Sequence, residues 1–310
     1  GIAVYPEHGE DSDSLMRHAD IAMYAAKRAG TGHEVYDARQ NQNNSGRLSL
    51  LGELRQAVEQ DRLTLVYQPK LTLSGTPERA AEALLRWNHP EQGLIAPDKF
   101  VPFAEQTGYI KVLTRWVLDV AFRQCAEWHD RGLEIGISVN ISARDLHTAD
   151  FLRGVTDLLD RHAVDATRIC LEVTESAVME DPSHALEVLH RLHEIGFHLA
   201  IDDFGTGYSS LAYLKRLPVD ELKIDKSFVR GLVGDGDDAA IVRATIDLAH
   251  VMGLSVTAEG VEDEVVLKAL RRLGCDRAQG YFISPPLKGE ELEEWFMNAR
   301  SIRRAAVRVL

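Results

Sequence analysis

Eight short apolar or β-branched runs recur through the chain: Leu63–Leu71, Arg79–Trp87, Glu134–Ile141, Arg168–Ser176, His198–Phe204, Glu221–Asp225, Ser255–Gly260 and Ala278–Ile283. Their length and composition predict strands. Between most of them apolar residues fall at helical spacing, over Val112–Arg131, Phe151–His162, His184–Ile195, Ala239–Met252 and Val265–Leu273. Strands alternating with helices imply a parallel sheet. Eight such units within about 260 residues predict an α/β fold, a (β/α)8 TIM-like barrel. The first connection departs from this pattern. Leu71 to Ala81 is too short for a crossover helix, so the first strand is predicted to pair antiparallel with the second through a hairpin-like loop.

The residues before the barrel read differently. Residues 1–37 predict a strand (Gly1 to Tyr5), a turn at Pro6-Glu7-His8-Gly9, a helix (Ser12 to Arg28) and a strand (His33 to Tyr36), a short α/β remnant. The helix follows an Asp/Ser cap, stops before Gly30 and carries Leu15, Ala19, Ile21, Ala22, Ala25 and Ala26 on a broad apolar face. This piece is too short to be an independent domain. Ala38 to Arg47 is polar and rich in Asn and Gln, which predicts a linker. Leu48, Leu51, Leu54 and Val58 then begin a helical pattern that leads into the first barrel strand. The expected division is therefore 1–37, 38–47 and 48–310.

Composition narrows the function classes. A 45% hydrophobic content supplies an ordinary globular core, and a net charge of −13 argues against a nucleic-acid polymer as partner. Cys125, Cys170 and Cys275 form no CxxC pair, which predicts buried thiols in a reducing, cytoplasmic compartment and no zinc site. No apolar run reaches transmembrane length and no secretory leader is visible. The chain opens at Gly1 in what reads as mid-strand, so it is expected to be a piece of a longer protein whose upstream part is free to carry a sensor or a membrane anchor.

The strand runs contain the chemistry. Polar residues interrupt seven of them in succession: Glu82, Asn140, Glu172, the pair Asp202-Asp203, Lys223, Glu259 and Gln279. One charged residue in an apolar strand is usually a buried ion pair; unpaired it costs about 3 kcal/mol or more. A polar residue in each of seven successive runs is harder to dismiss, and in a barrel of this kind the active site lies where the strands end. Adjacent carboxylates repel unless cations neutralise them, and oxygen ligands on successive strands suit hard divalent metals. The pattern suggests two ions. Glu82, Asn140, Glu172 and Asp202 would share one; Asp202 would bridge to a second held by Asp203 and Glu259. Lys223 would hold a water or a phosphate oxygen, Glu259 would help deprotonate the nucleophile, and Arg86 suits a phosphate oxygen.

These residues resemble the EAL-domain family, cyclic-di-GMP phosphodiesterases named for the triplet present here as Glu82-Ala83-Leu84. The resemblance runs from about Leu48 to Phe296 and follows family order: Tyr67-Gln68-Pro69, Glu82-Ala83-Leu84 with Arg86-Trp87, the Asn140 strand, Glu172 with Thr174-Glu175, Asp202-Asp203-Phe204-Gly205-Thr206-Gly207, Lys223-Ile224-Asp225, Glu259-Gly260-Val261-Glu262 and Gln279-Gly280-Tyr281. It implies a barrel with one reversed strand and an enzyme using Mg2+ or Mn2+, inhibited by Ca2+, to open cyclic di-GMP to linear 5'-pGpG. It further implies catalytic roles for Glu82, Lys223 and Glu259, and a nucleotide site lined by Gln68, Arg86, Asn140, Asp225, Glu262, Gln279 and Tyr281. Asp203-Phe204-Gly205-Thr206-Gly207-Tyr208-Ser209-Ser210 would be a mobile regulatory loop, steadied by Glu175, that links the metal site to a homodimer interface. Residues 1–37 resemble the C-terminal end of a GGDEF (diguanylate cyclase) domain through Gly1-Ile2-Ala3-Val4-Tyr5-Pro6 and Ala19-Asp20-Ile21-Ala22-Met23-Tyr24-Ala25-Ala26-Lys27. The GG(D/E)EF hairpin itself does not occur in the chain, so this piece is expected to have no cyclase activity.

Other clusters read as structural. Asp235, Asp237 and Asp238 lack the ligand spacing of a calcium loop, and His184, His190 and His193 lack a complete zinc set. Trp87, Trp116 and Trp128 read as core packing. Two further functions compete with hydrolysis: a silent receptor that binds cyclic di-GMP without turnover, which the intact Glu82, Lys223 and Glu259 disfavour, and a carboxylate-pair glycosidase, for which adjacent Asp202 and Asp203 are poorly suited.

Overall fold

Period-two alternation within the strand runs builds the larger part of the molecule. In the computed structural model, which describes residues 1–29, 31–37, 50–148, 150–207, 211–234 and 236–298, the strands are β1 (Leu63–Thr72), β2 (Ala80–His89), β3 (Gly93–Ile95), β4 (Gly136–Asn140), β5 (Ile169–Thr174), β6 (His198–Phe204), β7 (Glu221–Ile224), β8 (Ser255–Ala258) and β9 (Arg277–Ala278). All but β3 close into a barrel in the order β1-β9-β8-β7-β6-β5-β4-β2, and β2 pairs back to β1. The β1 strand is antiparallel to both neighbours, while β2 and β4 to β9 run parallel. The short β1–β2 connection dictates this reversal, as the sequence predicts.

Alternate residues on these strands face opposite sides. Ile137, Val139, Leu171, Val173, Leu199, Leu222, Ile224 and Val256 are buried on the side that packs against the helices. Their neighbours Ser138, Glu172, Asp202, Glu221, Lys223 and Thr257 are buried as well, and several touch one another across the barrel axis. The hydrophobic core is therefore a ring between strands and helices, and the barrel interior is polar. Crossover helices such as Ile110–Asp130, Phe151–His162 and Pro182–Ile195 supply the outer wall of that ring. Left-handed backbone at Gly108 and Gly196 ends the helices Pro97–Thr107 and Pro182–Ile195.

The chain divides into two compact units, Gly1–Arg62 with Asp98–Phe103, and Leu63–Pro97 with Ala104–Leu310. In the first, the helix Ser12–Ala29 is capped by Asp11, whose carboxylate accepts from the backbone N–H of Ser14 at 2.8 Å. Ile21, Ala22 and Tyr36 form its small core, and His18 stacks on Tyr36. The predicted strands there reduce to one parallel bridge between Ile2 and Val35, since a segment this short has no sheet to join. A helix spans 50–59; the predicted linker 38–47 lies outside the described residues.

Two other expectations change. The β3 strand, not anticipated, extends β2 as a hairpin. The last strand, expected to reach Ile283, stops at Ala278, because the backbone turns at Gly280: Ile283 and Ser284 donate their N–H groups to its carbonyl at 3.0 and 3.1 Å.

A Cβ at Gly280 would lie 2.2 Å from the Val261 carbonyl oxygen and 2.3 Å from its nitrogen. Gly280→Ala must therefore push apart two backbone segments that close the barrel, and we expect a loss of about 2 kcal/mol in urea unfolding; unchanged stability would contradict this packing.

Candidate active site

Most of the polar residues lie toward the carboxyl end of their strand or just after it, and helices follow β5 and β7 directly; Glu82 is the exception, the third residue of β2, which runs on past the site into the β3 hairpin. Thr174 closes β5 and accepts from the Ala177 N–H to cap Glu175–Glu180. Asp225 follows β7 and caps Lys226–Gly231 through Ser227. Such loops leave the strand ends open for chemistry.

Lys223 sits at the centre. Its ammonium is fully buried and meets Glu172, Glu259 at 2.6 Å, Asp202 at 3.1 Å and Glu82 at 3.6 Å. Glu82 also accepts from Asn140 Nδ2 and Gln279 Nε2, each at 2.7 Å. The Gln279 amide further donates to Gln68 Oε1 at 3.1 Å, and Gln68 Nε2 donates to the Ser284 carbonyl at 3.0 Å. The structure thus joins Gln68, Glu82, Asn140, Glu172, Asp202, Lys223, Glu259 and Gln279, from β1, β2 and β4 to the segment after β9, into one network.

Adjacent residues on a regular strand point to opposite faces, yet Asp202, Asp203 and Glu259 offer ligand oxygens within 4.8 Å of one another. The cause is local. Pairing between β6 and β7 shifts register between Ile201 and Phe204, and Asp203 adopts a left-handed φ of 54°. The bulge re-aims the second carboxylate. The Asp203 N–H donates to Asp202 Oδ1 at 2.9 Å and Thr206 Oγ1 donates to the Asp203 carbonyl at 2.8 Å. Beyond Phe204 the chain turns at Gly205, φ 96°, whose N–H donates to Glu175 Oε2 at 2.9 Å. Glu175 is therefore bonded to the predicted regulatory loop. Thr206 and Gly207 follow, and Tyr208, Ser209 and Ser210 lie outside the described residues.

Electrostatics here are set by burial and crowding. Burial draws the Lys223 ammonium down, but Asp202, Glu172, Glu259 and Glu82 together hold it well above the usual lysine range. Burial raises Glu172, yet Lys223 and Lys70 overcome it and bring that carboxyl down to about 2. Burial lifts Glu82 and Asp202 above the usual carboxylate range, with Lys223 opposing and neighbouring acids adding to the rise. Burial, then Asp225 alongside, raises Asp203. Glu259 rises to about 8, through burial first, with Lys223 opposing and Asp202 and Glu82 reinforcing.

The remaining predicted residues are peripheral. Half-buried Arg86 donates to the Leu85 carbonyl at 2.8 Å, and its field includes Tyr281 and Glu82. Tyr281 is 69% exposed. Glu262 pairs with Arg230 at the surface at 2.5 Å, and no described contact ties it to the central network.

Three residues escaped the sequence reading. Lys70 donates to Glu172 at 2.8 Å and to Glu221 at 3.3 Å; Arg277 pairs with Glu221 at 3.1 Å and with Glu78. Each lies two residues from a recognised position (Gln68, Lys223, Gln279), so strand alternation alone would have pointed to a second inward layer. These residues also line a cavity of about 680 Å³ at the opposite end of the barrel. That cavity contains none of the clustered acids Asp202, Asp203 and Glu259, so its size says nothing of where chemistry occurs.

The donor set suits hard cations. Five carboxylates (Glu82, Glu172, Asp202, Asp203, Glu259) face the ammoniums of Lys223 and Lys70, and buried Gln279 Oε1 finds no donor among the described residues. An excess of buried negative charge with oxygen ligands is what Mg2+-like ions neutralise.

A closed barrel with one reversed strand and an acid-rich, cation-ready site at its strand ends defines the class. The chain belongs to the EAL domain family, whose model matches residues 51–286. A second model, "Diguanylate cyclase, GGDEF domain", matches residues 1–33. Among curated relatives, the bifunctional diguanylate cyclase/cyclic di-GMP phosphodiesterase MucR of Pseudomonas aeruginosa is 46% identical over 94% of this chain and 43% of its own length. The cyclic di-GMP phosphodiesterase PdeR of Escherichia coli is 40% identical over 98% of this chain and 46% of its own length. The chain thus spans less than half of either relative. A solved structure titled "PaMucR Phosphodiesterase, c-di-GMP complex" aligns with TM-score 0.76 and 47% identity over 79% of this chain and 99% of that chain.

The Glu259 shift carries a pH signature. From its ordinary value of 4.5 to about 8, the folded, cation-free chain keeps a proton on Glu259 that the unfolded chain has lost. Stability contributed by this group therefore falls as pH rises through that window. The Glu172 contribution has the opposite sign and a separate window, being lost as pH falls from 4.5 toward about 2. In EDTA, Glu259→Gln is expected to flatten the decline in urea-unfolding stability between about pH 5 and pH 8; an unchanged slope would assign the titration elsewhere.

Proposed function

We propose that this chain is a divalent-metal-dependent phosphodiesterase that hydrolyses one phosphodiester bond of cyclic di-GMP, giving linear 5'-pGpG and lowering the messenger. The observation that carries the proposal is the convergence of Glu82, Glu172, Asp202 and Glu259, from separate barrel strands, on buried Lys223. Support comes also from MucR and PdeR, whose names state a cyclic di-GMP phosphodiesterase, and from the related barrel titled as a cyclic di-GMP complex.

Glu82, Asn140, Glu172 and Asp202 would hold one Mg2+ or Mn2+ ion, with Asn140 using its amide oxygen while the nitrogen stays on Glu82. Asp202, Asp203 and Glu259 would hold the second. Bound ions would polarise the scissile phosphate and acidify the attacking water. The protein's own groups do the rest. Lys223 holds the acids in register, and its positive charge favours the water's or the phosphate's developing negative charge. Glu259, whose carboxyl the bound ions would keep ionised, accepts a proton from the water. Arg86 neutralises a phosphate oxygen, and Gln68, Asn140, Asp225, Glu262, Gln279 and Tyr281 line the nucleotide site. Water adds to phosphorus as its proton passes to Glu259, the bond to one ribose oxygen breaks, and that oxygen leaves with the proton returned from Glu259 through solvent, so the net change is the addition of one water. Ca2+, larger and less demanding in geometry, would occupy the site without supporting the reaction.

The same reading assigns residues 1–37 to the end of a GGDEF domain, 38–47 to a linker and 48–310 to the phosphodiesterase domain of a cytoplasmic enzyme, one whose parent carries further GGDEF or sensor segments and pairs as a homodimer beside the Asp203–Ser210 loop. No described helix is long and apolar enough to cross a membrane.

Incubation with cyclic di-GMP and Mg2+ or Mn2+ should yield pGpG, and Ca2+ should suppress it; binding without product at any metal concentration would make the chain a receptor instead. Glu82→Ala and Asp202→Ala should each abolish turnover through lost metal. Glu259→Gln should impair turnover far more than binding. Metal alone should stabilise the fold, by about 2.7 kcal/mol at a hundredfold excess over Kd, and thermal melts in EDTA and in Mn2+ measure this.

A further inference from the structure

We propose that Lys70 and Glu221 are positioning residues: an ionic column along the barrel axis that fixes Glu172 and, through it, aims the Lys223 ammonium. The inference rests on the phosphodiesterase reading above and assigns to it two residues outside the ligand and nucleotide sets.

The column can be followed contact by contact. Arg277, half-buried at the lower end, is held by Glu78 and donates to Glu221 at 3.1 Å. Glu221 accepts from Lys70 at 3.3 Å, and Lys70 donates to Glu172 Oε1 at 2.8 Å. The other oxygen of Glu172 accepts from Lys223. Charges alternate along the whole path, and Lys70, Glu172 and Lys223 are each at most 3% exposed. The lower end opens to the solvent cavity; the upper end is the acid cluster.

An ammonium has three N–H groups, yet four carboxylates surround Lys223. Which three it serves depends on where those acids are fixed. Glu172 is the one whose second oxygen is anchored from below. With Oε1 tied to Lys70, Oε2 commits one Lys223 proton, and the other two are left to point at Glu259 and Asp202. Remove Lys70 and Glu172 keeps a single cationic contact, so the orientation of the lysine above it is no longer imposed. Glu221 in turn balances Lys70, which would otherwise be a buried cation shared by one acid. A mere buried ion pair is the competing account. It predicts effects on stability alone, and replacing both partners by apolar residues would then be neutral or better.

The two accounts separate in four proteins: the parent chain, Lys70→Met, Glu221→Gln and the double variant Lys70→Met/Glu221→Leu. Each is titrated with Mn2+ alone, followed by the electron paramagnetic resonance of the free ion, melted thermally, and assayed with cyclic di-GMP. Lys70→Met is expected to weaken Mn2+ binding and lower kcat by about 10- to 100-fold, with KM moved less than about threefold. Glu221→Gln should fall in the same direction by a smaller factor. The double variant should recover melting temperature but neither Mn2+ affinity nor kcat. If Lys70→Met does not fold, the double variant carries the same comparison. Near-parental Mn2+ binding and kcat in Lys70→Met, or recovery of both in the double variant, would overturn the positioning role. A parent that neither binds Mn2+ nor turns over cyclic di-GMP would instead overturn the phosphodiesterase reading, and the inference with it.

Discussion

Much of this molecule follows from burying one ammonium. Lys223 lies in the middle of the barrel with no access to water, and an isolated charge there would cost several kcal/mol. Carboxylates from β2, β5 and β6, with Glu259 after β8, supply the compensation, and the Asn140 and Gln279 amides donate to the oxygens of Glu82. Acids close enough to stabilise the lysine also repel one another, so the neutral balance is incomplete. The fold accepts this because its apolar core lies elsewhere, in the ring between strands and helices. The interior is thereby free to be a stack of charges.

The reversed β1 strand is what makes that stack continuous. Running against its neighbours, it presents Gln68 to the upper layer, beside Glu82 and Gln279, and Lys70 to the lower one, between Glu172 and Glu221. One strand therefore contributes a neutral donor and acceptor where the acids need orientation, and a cation where two acids meet. The short β1–β2 connection imposes the direction, and the direction fixes which layer each residue reaches.

How far this was legible in the sequence depended on contrast. Glu82, Glu172, Lys223 and Glu259 stand out because each is flanked by residues such as Ala83, Leu171, Leu222 and Ala258, and a charge among apolar neighbours is conspicuous. The reversed strand was legible from loop length alone. Lys70, Glu221 and Arg277 were not, because they sit at or beside the ends of their runs, where a charged residue resembles the polar edge of a loop. The end of β9 is hidden for a related reason: Gly280, Tyr281, Phe282 and Ile283 have strand-like composition, and only the close approach of Val261 reveals a turn. Nor could composition show that Asp203 leaves the strand geometry, since Asp tolerates turns and strand ends alike. The N-terminal residues have genuine strand propensity, but the segment offers each only one bridging partner, so a single Ile2–Val35 bridge forms.

The bulge at Asp203 has a consequence for transplantation. A left-handed non-glycine residue costs about 1 kcal/mol or more, and glycine would relieve that strain but lose the carboxylate. Two neighbouring aspartates placed on an ideal strand of another scaffold would face opposite sides and form no common site. What a designer would have to graft is the register slip itself, with Thr206 and the Glu175–Gly205 bond that brace it. The heritable unit of this feature is a backbone shape, and the Asp-Asp pair is its visible label.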